Sequence, residues 1–225
     1  MPESIAPQPV WKERARQRSL ASARQRADDQ LMRLLGAAQD MILAGEDATV
    51  PALVARAGMS TKTFYRHFAS RDELLFAVLE EELALGAMSV TRALAATDDP
   101  VDRLRLYIEA YLELPSGFGS RDVRRARIQE HQRLRAVDAE RAAEAAAGFN
   151  NALQGIVADL VGAHLVGDID AALTTRSILH VLNGHLVDLA FADRTDAHAN
   201  VVEHALRVCF GMLGLPPPSR SAPLP

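Results

Sequence analysis

The sequence predicts an all-α fold, with a small three-helix N-terminal domain and a larger helical domain behind it. Three observations predict it. Apolar side chains recur at spacings of three and four along most of the chain. The period-two alternation of a half-buried strand is missing. Alanine, the best helix former, is abundant, while aromatic residues are only 5%.

The first helix is expected from about residue 28 to 44, with Leu31, Leu34, Leu35, Ala38 and Ile42 on one face and Gly45 at its end. Thr49 is a natural N-cap for a second, short helix that tolerates Pro51 in its first turn and stops at Gly58. A third runs from Ser60 to Phe68. A fourth starts at Ser70, where "SRDE" at 70–73 is a capping box: the Ser70 hydroxyl accepts from the Glu73 amide, and Glu73 reaches back.

Longer helices are expected beyond Ala84. Asp99 and Pro100 open one whose stripe is Leu104, Ile108, Tyr111 and Leu112. "PSGFGS" at 115–120 breaks the chain. The charged run 121–138 turns Ile128, Leu134 and Val137 inward, and Phe149, Leu153, Ile156 and Leu160 make the next stripe. A long apolar helix, Ile169 to Ala192, precedes a last one at about 198–213 with Val201, Val202, Ala205, Cys209 and Met212 on one side. The predicted domains are a flexible basic arm (1–27), a first domain (28–82), a second (83–215) and a disordered proline-rich tail (216–225).

With 225 residues and a net charge of -4, the chain does not coat polyanions at large, though a local basic face suffices to bind one. Cys209 is the single cysteine, so no intrachain disulfide is possible, and the start lacks the apolar core of a signal peptide. No apolar run reaches the roughly eighteen residues of a membrane span. A cytoplasmic protein without a membrane partner is expected.

The two short helices joined by "AGMS" have the form of a helix-turn-helix, with Gly58 supplying the positive φ of the turn. In that motif the second helix enters the DNA major groove. Here it is "STKTFYRHF". Thr61, Lys62 and Thr63 lead toward base edges, since threonine can donate, accept or touch a thymine methyl and lysine can reach guanine O6 or N7. Phe64 and Phe68 face the protein. Tyr65, Arg66 and His67 can reach phosphates, and Arg71 at the next helix start offers another phosphate contact.

The stretch "TVPALVARAGMSTKTFYRHFASRDELL", Thr49 to Leu75, resembles the DNA-binding domain of the TetR family of bacterial transcriptional regulators. Thr49, Ala57, Gly58, Ser60, Thr63, Tyr65, His67, Phe68, Arg71, Glu73, Leu74 and Leu75 carry the resemblance. Val54 departs from a usual alanine, Lys62 from a frequent glycine and Arg71 from the commoner lysine. The resemblance implies DNA contacts from Thr49, Ser60, Thr61, Lys62, Thr63, Tyr65, Arg66, His67 and Arg71.

It also implies a repressor that grips a palindromic double-stranded operator as a homodimer, paired through helices 169–192 and 198–213, and that a small hydrophobic ligand releases. From helical phase, Met88, Tyr107, Tyr111, Phe118, His131, Phe149 and Asn150 are the ligand-facing candidates. A regulator without an inducer, or an activator, is the neighbouring alternative; a helical enzyme using cleft histidines and carboxylates is the distant one. No phosphate loop, nucleophile elbow, dinucleotide fingerprint or zinc spacing supports that last reading, and no catalytic residue, cofactor or metal site is expected.

Ahead of the first helix, Lys12, Arg14, Arg16, Arg18, Arg24 and Arg26 face one acid, Glu13; six minus one gives +5 between Trp11 and Ala27. Such an arm either touches DNA or only solubilises. "EEE" at 80–82 and the run Arg121 to Arg141 read as solvated faces. Glu130, His131 and Arg135 could instead line a cavity entrance. His180, Asn183, His185 and Asp188 read as interface polar groups or as a ligand anchor.

Overall fold

A computed structural model describes residues 10–114, 120–191 and 196–218. Among them lie ten helices and no strand. They are α1 (Val10–Leu43), α2 (Val50–Ala57), α3 (Thr61–His67), α4 (Arg71–Leu94), α5 (Pro100–Glu113), α6 (Arg121–Val137), α7 (Ala139–Ala145), α8 (Ala147–Gly162), α9 (Ala171–Phe191) and α10 (Asp196–Met212).

The expected caps form. Thr49 accepts from the Ala52 amide at 3.4 Å, Ser60 from Thr63 at 3.1 Å and Ser70 from Glu73 at 3.1 Å. The Glu73 carboxylate in turn accepts from the Ala69 amide, which completes the capping box. Asp99 takes the amides of Val101 and Asp102 at 3.0 and 2.8 Å, ahead of Pro100.

Four expectations are corrected. α1 begins at Val10 rather than near Asp28, so the described part of the flexible arm is helical and continuous with the first helix. Alanine, arginine and glutamine dominate that stretch and nothing in it breaks a helix. Val137 is 55% exposed and Met212 41%, while Phe210 and Leu213, on either side of Met212, are buried. Asp138 ends α6 and caps α7 through the Arg141 amide at 3.0 Å, a helix not anticipated. α4 runs without interruption to Leu94, so the chain passes from the first domain into the second within one helix. Of the two chain regions expected to lack structure, residues 1–9 and 219–225 lie outside the described residues, as does Phe118.

Two apolar cores meet along α4. The first gathers Leu34, Ala38 and Met41 of α1, Leu53 of α2, Phe64 of α3 and Leu74 to Leu79 of α4. The body's Leu134 and Ala142 close it, so α6 and α7 cover the N-terminal domain. The second gathers Tyr107, Ile108 and Leu112 of α5, the α8 stripe, Ile178 and Leu182 of α9, and Ala205, Cys209 and Phe210 of α10. Leu83 packs against both. α4 and α8 cross closely: a Cβ on Gly148 would lie 2.8 Å from the Ala87 methyl.

Candidate nucleic-acid interface

The turn between α2 and α3 rests on Gly58, at φ 62° and ψ 46°. This left-handed backbone opposes a side chain. The Gly58 and Met59 amides bond back to Ala55 and Val54 carbonyls at 3.2 and 2.8 Å, a glycine stop. Arg33 of α1 donates to the carbonyl oxygens of Ala57 and Gly58, the latter at 3.2 Å. A cation at a helix C-terminus meets both its unpaired carbonyls and its dipole. Residue spacing alone gave no hint that Arg33 does this. Val54 is buried in the N-terminal core.

α3 has two chemically different sides. Phe64 is fully buried and Phe68 nearly so, with ring centroids 5.9 Å apart. Thr61, Lys62, Tyr65 and Arg66 are exposed, and Tyr65 is 56% accessible. The Tyr65 ring stands edge-on against Phe64 at 5.2 Å, so its hydroxyl is carried outward on a supported ring. Ser60 and Thr63 share a hydroxyl contact at 3.0 Å, and Thr63 is half-buried. Thr49 is exposed at the start of α2.

Three of the anticipated phosphate-reaching side chains hold the scaffold as well. Gln30 of α1 accepts from Arg66 at 2.6 Å and lies 3.1 Å from His67 Nε2. Arg71 donates to the Ala48 carbonyl at 2.9 Å and approaches Asp47 at 3.4 Å. The six basic-arm residues are all exposed. Thr61, Lys62 and Tyr65 are thus the outward groups, while Arg66, His67 and Arg71 brace α3 and α4 against α1 and its following loop.

The charged run 121–141 keeps Arg121, Asp122, Arg125 and Arg135 exposed, but part of it turns from water to the acidic side of α4. Arg133 of α6 grips Asp72 at 2.6 and 3.2 Å and Glu130 at 2.8 Å. The Arg133 hydrogen bond holds the Asp72 carboxyl below the usual carboxylate range. Glu82, 10% exposed, meets Arg127 at 2.8 Å and His131 at 3.1 Å. One Glu82 oxygen lacks hydrogen-bond geometry, but 2.8 Å to a guanidinium nitrogen is a close ion pair. Arg141 of α7 pairs with Glu80 at 2.7 Å and lies over the Phe76 ring at 4.7 Å.

Of the ligand-facing candidates, Tyr107, Tyr111 and Phe149 come together. The tyrosine rings stack at 5.8 Å, and Tyr111 meets Phe149 edge-on at 5.3 Å. Tyr107 donates to the Phe149 carbonyl at 3.1 Å and Tyr111 to Asn183 at 3.0 Å. Burial raises both phenol pKa values, Tyr111 to about 12. Asn150 is half-buried beside this cluster in sequence. Met88 is 61% exposed and does not face the core, and His131 belongs to the Glu82 junction. His185 stands edge-on to His204 at 5.4 Å, with its pKa lowered by burial and by that neighbour. An open cleft of about 560 Å³, lined by Thr91, Asp98, Arg103 and Asn151 among others, includes none of the anticipated residues.

An all-α chain with a braced helix-turn-helix at its head and a larger helical body is thus defined by the geometry. Residues 35–78 match the sequence model of the bacterial regulatory proteins of the tetR family. Over most of its length the chain is similar in fold to solved TetR-type regulators. A TetR-family transcriptional regulator from Pectobacterium atrosepticum is 20% identical, with 86% of this chain and 98% of that one covered at a TM-score of 0.68. A TetR transcription regulator from Haloarcula marismortui is 22% identical, over 83% and 99%, at 0.65. The transcriptional regulator FadR from Bacillus subtilis, in complex with stearoyl-CoA, is 17% identical, over 81% and 97%, at 0.63. None of the curated proteins compared matches the sequence. Among the described residues no helix is long and apolar enough to cross a membrane.

Proposed function

We propose that the protein is a transcriptional repressor that binds a palindromic operator as a homodimer and leaves it when a small hydrophobic molecule binds the body. The observation that carries the DNA-binding part is the division of α3: Phe64 and Phe68 anchored, Thr61, Lys62 and Tyr65 outward. A helix held on its aromatic back presents one face to a groove in a fixed orientation. Ser60, Thr63 and Thr49 stand at helix starts, where amides and hydroxyls meet phosphates.

A single reading helix makes too few contacts for specific affinity, so two are needed, about one DNA turn apart. α9 and α10 are the proposed pairing surface, two helices from each subunit forming a four-helix bundle. The ligand would enter at the Tyr107–Tyr111–Phe149 cluster, where buried hydroxyls in an apolar core offer a polar anchor. The FadR structure holds an acyl-CoA, which supports an apolar effector here. Such a ligand acts only by preferring the subunit arrangement that misfits the operator. α4 connects both ends, since its first turn lies beside α3 and its later turns pack on the body.

The test is binding-site selection from random DNA followed by gel shift with the recovered duplex and medium-chain to long-chain acyl-CoA. Recovery of a palindrome bound by a dimer, and its release by the acyl compound, is expected. Recovery of a palindrome that no acyl-CoA releases would retire the proposed effector class and favour a regulator without this inducer.

A further inference from the structure

Ahead of Leu31, the described residues of α1 take no part in either apolar core. The packed part of the helix begins near Gln30 and Leu31 and ends at Ile42. Every described side chain from Trp11 to Arg26 is exposed. From Val10 to Gln30 the helix extends about 30 Å at 1.5 Å per residue. Gln30 touches Arg66 and His67 of α3, whereas Gln39 touches Glu81 on the body side of α4 at 3.2 Å. The extension therefore leaves the domain beside the reading helix, on the side away from the body.

Its charge says what would cover it. Lys12, Arg14, Arg16, Arg18, Arg24 and Arg26 outnumber Glu13 by six to one. Lys12 and Arg16, and Arg14 and Arg18, sit four apart on the helix, where like charges repel. Among the described residues, none of the six is paired with a carboxylate; Arg18 and Arg26 reach only backbone carbonyls of their own helix, at 3.4 and 3.0 Å. A second copy of the same +5 segment would add repulsion. A membrane surface would need an apolar face, and Trp11 and Leu20 are the only large exposed apolar side chains between residues 11 and 26. A polyanion relieves every one of these repulsions.

We infer that residues 10–27 of α1 form a rigid basic rod that lies along the phosphates of the duplex flanking the sequence read by α3, and that it supplies affinity without reading bases. This rests on the DNA-binding reading above. The rod's cations would displace condensed counterions, so each phosphate contact adds about 0.9 to the slope of log affinity against log salt.

The experiment compares the unaltered chain with a variant carrying Arg14→Gln, Arg16→Gln, Arg18→Gln and Arg24→Gln. All four side chains are exposed and glutamine is a good helix former, so circular dichroism should be unchanged. Two duplexes carry the selected site, one of about 20 base pairs and one with flanks to about 40. The unaltered chain should bind the longer duplex at least tenfold tighter, with the steeper salt slope. The variant should bind both alike, with the shallow slope and the same base preference. Indifference of the unaltered chain to flank length, or a variant that keeps the flank advantage, overturns the rod alone. Failure of the unaltered chain to bind any duplex overturns the DNA-binding reading with it.

Discussion

Arg133 of α6 holds both carboxylate oxygens of Asp72, at 2.6 and 3.2 Å, at the end of α4 that follows the helix-turn-helix. The same guanidinium is held by Glu130, so the first turn of α4 is fixed to the body by a three-residue ionic link. Both side chains are about a third exposed, 34% and 35%, so solvent screening keeps the pair's worth to about 1 kcal/mol. Asp72→Asn should cost about that much in urea unfolding. The pKa of Asp72 is lower in the folded chain than in the unfolded one. Its contribution is therefore complete above the ordinary carboxylate range and is lost as pH falls through the folded pKa. Below that pH the variant and the unaltered protein should be equally stable; a gap that persists there would contradict the ion pair.

Gly58→Ala tests the turn. The φ of 62° is the main obstacle, and the new Cβ would also lie 2.9 Å from the movable end of Arg33. A loss of about 1–2 kcal/mol is expected, from the left-handed strain. Thermal unfolding should show it as a drop of a few degrees for a chain of this size. No change would mean that the turn relaxes at no cost.

Glu82→Leu should destabilise by about 3 kcal/mol, because it removes the carboxylate that Arg127 and His131 share, at a place where the Arg127 side chain is only 13% exposed. Glu82→Leu combined with Arg127→Met should recover much of the loss, since an apolar pair replaces an ionic one of similar volume. Additive losses in denaturant titration would show that the two residues do not act as a pair.

Tyr107→Phe removes the hydroxyl that satisfies the buried Phe149 carbonyl. The expected cost is about 1–3 kcal/mol. Burial raises the folded pKa of both Tyr107 and Tyr111 above that of free tyrosine. Their contribution to stability is full below the unfolded value and is lost as pH rises through the folded one. Ultraviolet titration of the native protein should therefore leave two of the three tyrosines un-ionised at pH values where free tyrosine has titrated, and Tyr107→Phe should lower that count to one.

The helix-turn-helix was legible because it is local. Thr49, Gly58, Ser60 and Ser70 act on neighbours within four residues, and spacing alone reveals a cap or a stop. The braces were not, since Gln30 and Arg33 reach residues 24 to 37 positions away. The charged runs misled for a related reason: Glu80 and Glu82 resemble a solvated face until Arg127 and Arg141 fold against them. Helical phase picked Tyr107, Tyr111 and Phe149 correctly as inward, but it placed Met88 and Val137 wrongly. Half a turn of phase error moves a side chain from core to water.

The central claim is that α3 reads DNA through Lys62 and Tyr65 while Phe64 and Phe68 hold it in place. The direct measurement is the affinity of Lys62→Ala and Tyr65→Ala proteins for the selected duplex, each beside a thermal melt. The account predicts that binding falls at least tenfold in each, about 1.4 kcal/mol or more, with the unfolding temperature unchanged for Lys62→Ala and lowered by no more than a few degrees for Tyr65→Ala, which loses only its edge contact with Phe64. Undiminished binding by both intact variants would contradict it.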